Sequence, residues 1–463
     1  MSHPALAGAK AGVYWLDDPA RPEPTPPLRG HRHGDLVVVG GGYAGLWSAL
    51  RAVEREPGRD VVVLEAAQCG WQASGRNGGF CSASLTHGYA NGVERWPDEI
   101  DTLQKMGARN LDEIEETLER YGIDCGFERT GDLIVATQQH QLRDLADSVE
   151  ELRAAGQDVR LLDAAQTRAR IDSPTFLGAF FDPEETALVE PARLAWGLRE
   201  ACLRAGVRIF EQTPVTGVHT DGAGVEVTTR GGSVSARQVV LATNAFPSLL
   251  RRLRLMTVPV YDYVLMTEPL SRGQRDAIGW QGREGLSDSA NLFHYSRLTR
   301  DGRILWGGYD AVYHFGSRID PALEYDGRTH DLLAHQFFET FPQLDGLGFS
   351  HRWAGVIDTC TRFTAFYGTA LGDRVAYALG FTGLGVGATR FAADVMLDLL
   401  SGHETERTAL RMVREKPLPF PPEPLRAFGI GLTRRELERS DNNAGRRSLW
   451  LKGLDAAGLG FDS

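Results

Sequence analysis

Leu36-Val37-Val38-Val39-Gly40-Gly41-Gly42-Tyr43-Ala44-Gly45 is the stretch on which the fold of this chain turns. Its apolar run suits a buried strand, and it passes straight into glycines. A helical pattern follows from Leu46 to Val53, and a second apolar run, Val61-Val62-Val63-Leu64, ends on Glu65 and Ala66. Strand, glycine turn, helix, strand and acid are the parts of a dinucleotide-binding unit, in order. Gly40 permits the tight turn, Gly42 lets the backbone approach a pyrophosphate, and Gly45 lets helix and strand pack closely. The helix that opens at Tyr43 and Ala44 aims free N–H groups and its positive dipole end at the anion. Glu65 stands about twenty residues beyond Gly45, where a carboxylate accepts from a ribose 2′-hydroxyl. An ordinary glycine-rich turn of an α/β sheet is the alternative, but a lone motif rarely brings all of this context with it.

Farther on comes Ala73-Ser74-Gly75-Arg76-Asn77-Gly78-Gly79-Phe80. With this segment the sequence resembles the D-amino-acid oxidase superfamily of FAD enzymes, which includes the glycine and sarcosine oxidases, and within it the gamma-glutamylputrescine oxidoreductase branch. The resemblance implies an α/β fold, in which a Rossmann-like FAD-binding domain is interleaved with an α+β substrate domain built on a mixed sheet. It places the segment from Ser74 to Gly79 along the pyrophosphate and flavin of a non-covalently held FAD. The glycines allow close backbone approach, and Arg76 supplies charge to a diphosphate.

Composition sets the outer bounds. A chain of 463 residues has room for a large core and two domains. Its net charge of −11 argues against nucleic-acid or anionic-membrane partners. Five scattered cysteines suggest neither a disulfide framework nor, without a Cys-x-x-Cys pair, a structural zinc site; His31 and His33 form the one close histidine pair and read as a solvated loop. We therefore expect no metal. The N-terminus lacks a basic segment followed by an apolar one, and no apolar run approaches the ~18 residues that span a bilayer. A reduced, cytoplasmic compartment is the expectation; an oligomer is compatible with everything in the sequence.

Residues 1–30 read as a Pro-rich arm whose Tyr14 and Trp15 pack on the body. Residues 31–95, 185–250 and 350–404 are assigned to the FAD-binding domain, 96–184 and 251–349 to the substrate domain, and 405–463 to an extension packed on both. Helices are expected over Pro97–Tyr121, Gln138–Ala155, Asp163–Arg170 and from Pro191 to near Gly206, and a hairpin over Ser289–Tyr309 turning at Thr299–Arg303. By resemblance, the backbone of Val215 meets the adenine and Thr243 closes near the pyrophosphate, although Asn244 stands where a glycine is commoner; plain strands and a turn are the alternative. A second glycine cluster, Gly380 to Gly387, precedes a helix expected over Arg390–Leu400 and capped by Gly402. The resemblance turns Gly383, Leu384, Gly385 and Val386 towards the flavin ring, with Leu384 in place of the family's usual histidine.

For the substrate, the resemblance points to Gly355. Amino-acid oxidases of the superfamily hold the substrate carboxylate with an arginine two residues beyond the equivalent glycine, and here that residue is Ile357. An apolar side chain leaves a buried carboxylate uncompensated. Asp358 suits an ammonium group, or else it pairs with Arg352 or Arg362. Alternation along their strands makes Tyr261, with Tyr263, and His294 candidates for the cavity wall, and Arg362 remains available for a more distant carboxylate. Cys81 and His87 are further candidates for the flavin's neighbourhood. The expectation is an FAD-dependent oxidoreductase that takes a small amine, polyamine-derived or secondary, to an imine that hydrolyses. Its partners are that amine and dioxygen or another electron acceptor. An amino-acid oxidase or dehydrogenase using Arg362, or a flavin-binding subunit of a larger complex, are the alternatives.

Overall fold

Val37 and Val39 face one side of the first long strand and Leu36 and Val38 the other, and both sides are buried in separate clusters. A strand apolar on both faces belongs in the middle of a layered α/β sheet, and that is where Gly30–Val39 lies. The computed structural model describes residues 2–460 apart from 223, so the outermost residues of the arm and of the extension, residue 1 and residues 461–463, fall outside the description. In the first sheet, Gly30–Val39 is flanked in parallel by Val61–Leu64 and Gly232–Leu241, with Arg208–Phe210 beyond the former. Gly232–Leu241 also pairs in parallel with Val375–Leu379, and Val215–Asp221 and Gly224–Thr229 complete an antiparallel meander beside it. Helices Tyr43–Arg55, Pro191–Arg204 and Gly385–Ser401 cover one face.

The second sheet is mixed, and its main path runs Lys10–Ala11, Phe349–Thr359, Val258–Thr267, Ile304–Gly308, His294–Leu298, Gly285–Asp288, Asp132–Ala136, Gly178–Asp182, Arg160–Asp163. One face carries the core around Phe337, Phe341 and Trp306, under helix Gly327–Thr340. The other face turns towards the first sheet's glycine-rich segments.

Helices form at Ile100–Tyr121, Gln141–Ala154 and Ala164–Arg170, and the hairpin closes where Thr299 N donates to Arg303 O at 2.8 Å. Two boundaries differ from expectation by more than a helical turn. Phe349–Thr359 pairs along its length with Val258–Thr267, so the chain rejoins the first sheet only after Thr359, not at residue 350. The helix placed at Arg390 starts at Gly385, because Gly385 and Gly387 of the cluster occupy its first turn. Gly402 does cap it, at φ 71°. Tyr14 and Trp15 sit on a 3-10 turn against the body, Trp15 being 6% exposed. The extension forms helices Leu425–Asp441 and Leu449–Ala456, and Asp441 accepts from the backbone N–H groups of Asn291 and Leu292.

Candidate active site

The glycine turn is built around contacts that only a hydrogen at Cα permits. A Cβ on Gly45 would overlap Gly40 O, and one on Gly40, at φ 112°, would overlap Ala242 O. Gly42 caps helix Tyr43–Arg55 without a side-chain hydrogen bond, and Tyr43 N donates to Ser74 Oγ at 2.9 Å. Glu65 accepts from Gly41 N at 2.6 Å and Ala67 N at 2.8 Å, which fixes its carboxylate at the strand tip beside the turn. Burial raises its pKa, against the pull of those two N–H donors.

The second glycine cluster opens helix Gly385–Ser401, whose cap residue Leu384 offers no side-chain acceptor. Two ion pairs show how this helix lies on the first. Arg51 Nε meets Asp394 Oδ1 at 3.0 Å, and Arg55 Nη1 meets Asp398 Oδ1 at 2.7 Å, with the same sequence offset of 343 in both. A constant offset means the helices run parallel, so the N-terminal turns at Tyr43 and Val386 open at the same end. Two positive dipole ends side by side, each led by glycines, make a site for an anionic group. A Cβ on Gly387 would overlap Ser82 O, which brings strand Phe80–Ser82 against the second helix opening. Thr382 and Gly383 reach that opening at φ 48° and 91°, and a Cβ on Gly383 would meet nothing within 4 Å.

Asp358, near the end of strand Phe349–Thr359, turns its carboxylate to this loop. It is 2% exposed and accepts from Gly380 N at 2.5 Å and Phe381 N at 3.2 Å. Burial pushes its carboxyl up to about 7. Arg362 is likewise committed. Four of its five N–H groups donate to the carbonyls of Thr364, Ala365, Met412 and Glu415, over the ring of Trp96, so it ties the extension down and has little left for a substrate carboxylate. Arg76, 3% exposed, pairs with Glu324 at 2.5 Å and donates from Nε to Trp71 O at 2.9 Å. The charge expected at a diphosphate is therefore neutralised by an acid from the second sheet's side of the molecule. Asn77 holds its own turn, Oδ1 accepting from Gly79 N at 2.8 Å. Val215 opens its strand against the back-face core, and Ala242, the residue before Thr243, abuts Gly40. Asn244 adopts φ 49°, the backbone region that explains why glycine is common there.

The residues that face the glycine-rich segment are shifted by one from those expected. Tyr261 and Tyr263 are fully buried on the helix side, donating to Asp320 O at 3.3 Å and Leu323 O at 2.7 Å. His294 stacks on Trp306 and Tyr309 and contacts Asp288 and Gln336, on that same side. Because successive strand residues alternate faces, their neighbours Asp262 and Tyr295 face the other way. Tyr295 Oη donates to Asp262 Oδ2 at 2.5 Å, and a Cβ on Gly78 would stand 2.6 Å from the Tyr295 ring. Asp262 is paired across the strands with Gly355, and Val260 with Ile357. Asp262 and Tyr295 are half-buried. Burial raises Asp262 to about 6, against hydrogen bonds from Tyr295 and the Gly308 backbone that favour the carboxylate. Sequence reading missed this pair; the signal was there as strand parity, but nothing local told which parity faced inwards.

Cys81 is 0% exposed, and burial pushes its thiol up to about 12. All five cysteines are free and buried. His87, at φ 57°, hydrogen-bonds the Thr382 backbone, and burial lowers its pKa. No helix among the described residues is long and apolar enough to cross a membrane.

Uncapped parallel helix openings, an acid at the strand tip and a separate sheet closing over them define a dinucleotide-dependent oxidoreductase with its own substrate domain. Comparison with known proteins gives the particular family: residues 35–399 match the FAD dependent oxidoreductases (DAO), and the chain belongs to that family. Gamma-glutamylputrescine oxidoreductase of Escherichia coli is 34% identical over 399 residues, covering 83% of this chain and 88% of its own. A probable oxidoreductase, OrdL, of Haemophilus influenzae is 29% identical over 403 residues, covering 84% and 88%. Among solved structures, glycine oxidase from Geobacillus kaustophilus superposes with a TM-score of 0.66 at 21% identity, over 81% of this chain and 96% of that one. The protein is an FAD-dependent oxidoreductase. Its glycine cradles and uncapped helix openings fit the diphosphate of FAD, whereas Arg76, paired with Glu324, adds no free charge to it.

Proposed function

We propose that this enzyme oxidises the C–N bond of a small cationic amine, with dioxygen or another acceptor taking the electrons. The observation that carries the reading is the placement of Asp262: a half-buried carboxylate on the face towards Gly78, paired across the strands with Gly355, on a stretch whose apolar Ile357 offers no cation. A carboxylate there holds an ammonium group and repels a substrate carboxylate. The engagement of Arg362 with four carbonyls adds to this reading, since it leaves the amino-acid alternative without its arginine. The name of the Escherichia coli relative points to an amine of the polyamine type, and that of the Geobacillus kaustophilus protein to an amino acid.

Bound FAD supplies the two-electron acceptor. The chain's own residues then have three tasks. Asp262 draws in and orients the ammonium and then accepts its proton, the Tyr295 hydroxyl favours the ionised carboxylate that this capture needs, and the second sheet closes over the site so that the neutral amine presents its C–H bond. The imine that leaves is hydrolysed in water. Anaerobic titration with gamma-glutamylputrescine, putrescine, secondary amines and D- and L-amino acids tests the proposal through bleaching of the flavin's visible band. Bleaching by an amine supports it; bleaching by amino acids alone overturns it.

A further inference from the structure

Three consecutive carbonyl oxygens in the glycine-rich segment are each held by a side chain from a different part of the molecule. Trp353 Nε1 donates to Arg76 O at 2.9 Å, Trp15 Nε1 to Asn77 O at 3.0 Å, and Arg297 Nη1 to Gly78 O at 3.3 Å. The next carbonyl, Gly79 O, accepts from Val189 N at 2.8 Å, and Arg297 Nη1 also donates to Val189 O. The donors are 0%, 6% and 1% exposed, so none of these bonds is exchanged for water at the surface. They also touch one another: the Arg297 guanidinium lies 5.6 Å from the Trp15 ring centre, and Trp15 and Trp353 share one apolar cluster.

A trans peptide points its N–H opposite to its C=O. Anchoring the carbonyls of Arg76, Asn77 and Gly78 therefore fixes the N–H groups of Asn77 and Gly78 on the other side of the ribbon, while that of Gly79 is held by Asn77 Oδ1. Glycines alone leave such a segment free to turn over, because they populate both halves of the backbone map; Gly79 sits at φ 83°. What holds the orientation is the set of three donors. Two of them reach the site through one edge: Lys10–Ala11 pairs with His351 and Arg352, the residues just before Trp353, and the arm then turns to deliver Trp15.

We propose that Trp15, Trp353 and Arg297 are positioning residues that clamp the Arg76–Gly79 peptides and so govern how firmly FAD is held and what surroundings its flavin has. The N-terminal arm is then a working part of the cofactor site. This rests on the segment lying beside FAD, and is independent of which substrate the enzyme takes.

The test compares full-length Trp15→Phe and Trp353→Phe, which keep an aromatic ring and lose the N–H donor, with Tyr14→Phe. Tyr14 donates to Asp301 Oδ2 at 2.9 Å on the same arm without touching the clamped carbonyls, so it controls for loosening of the arm. FAD dissociation constants, the visible circular dichroism of bound flavin and the melting temperature of the apoprotein are read for each. A buried carbonyl left without its donor costs ~1–3 kcal/mol, which is roughly a tenfold to hundredfold weaker hold on FAD if the bond is made fully only in the holoenzyme. The expected result is a dissociation constant raised roughly tenfold in each tryptophan variant, a changed flavin spectrum, and less than additive loss in the double variant. Equal FAD affinity and spectra in Trp15→Phe and Tyr14→Phe overturn the proposal. Should Trp15→Phe not fold, Trp353→Phe and Arg297→Lys carry the same comparison. An unchanged spectrum and affinity in both sinks it.

Discussion

In the function proposed here, Asp262 does what a single half-buried carboxylate can do: it selects for charge. Asp262→Asn keeps the shape and removes the charge, and kcat/KM for the amine should fall about tenfold to hundredfold, since a charge-assisted bond is worth ~1.5–3 kcal/mol. Capture of the ammonium needs the ionised form, so kcat/KM in the wild type should drop as pH falls through about 6, the value to which burial raises this group. Asp262→Asn should flatten that limb, and Tyr295→Phe should move it to higher pH, because the Tyr295 hydroxyl favours the carboxylate. Steady-state profiles between pH 5 and 9 check all three. Single residues were also where sequence reading was weakest. Arg76 and Arg362 looked like free cations; their partners, Glu324 and the carbonyls of Met412 and Glu415, lie far along the chain, and no local pattern announces them.

Among elements, the loop before the helix at Gly385 is tied through Gly380 and Phe381 to Asp358 on strand Phe349–Thr359, and so links the second sheet to that helix. Burial lifts the Asp358 carboxyl to about 7, above its ordinary value near 3.9, so the folded chain binds that proton more tightly than the unfolded one. The stability this contributes is complete below about pH 4 and is lost as pH rises through about 7. Asp358→Asn removes the titration, so in urea unfolding the wild type should lose its advantage over the variant between about pH 4 and pH 7. Gly387→Ala addresses the same junction: its methyl would overlap a backbone oxygen, that of Ser82, which cannot swing aside, and a loss of ~1–3 kcal/mol is expected in the same assay. Elements were also what the sequence displayed best. The Gly40–Gly45 turn, the helices at Ile100 and Pro191 and the hairpin at Thr299 are written in consecutive residues, whereas the membership of Phe349–Thr359 is decided by pairing with a strand some ninety residues earlier.

At the scale of the whole molecule, the two ends of the chain are fastened into the middle. Arg362 grips the extension through Met412 and Glu415, so Arg362→Met should strand several buried carbonyls, lower the melting temperature by several degrees, and make the stretch after Met412 the first to be cut in limited proteolysis. The second sheet bears a different consequence. Its strands carry the proposed substrate wall and the core on alternate residues, Asp262 between Tyr261 and Tyr263, Tyr295 beside His294. Point substitutions can therefore retune the pocket one wall position at a time. A one-residue insertion or deletion within Val258–Thr267 or His294–Leu298 would trade the pocket for the core, drawing a carboxylate into oil and a packed ring into the substrate's space. Length changes over evolutionary time are thus confined to the turns between these strands, such as Thr299–Arg303, and homologues with new substrates are expected to differ there in length and within the strands only in kind.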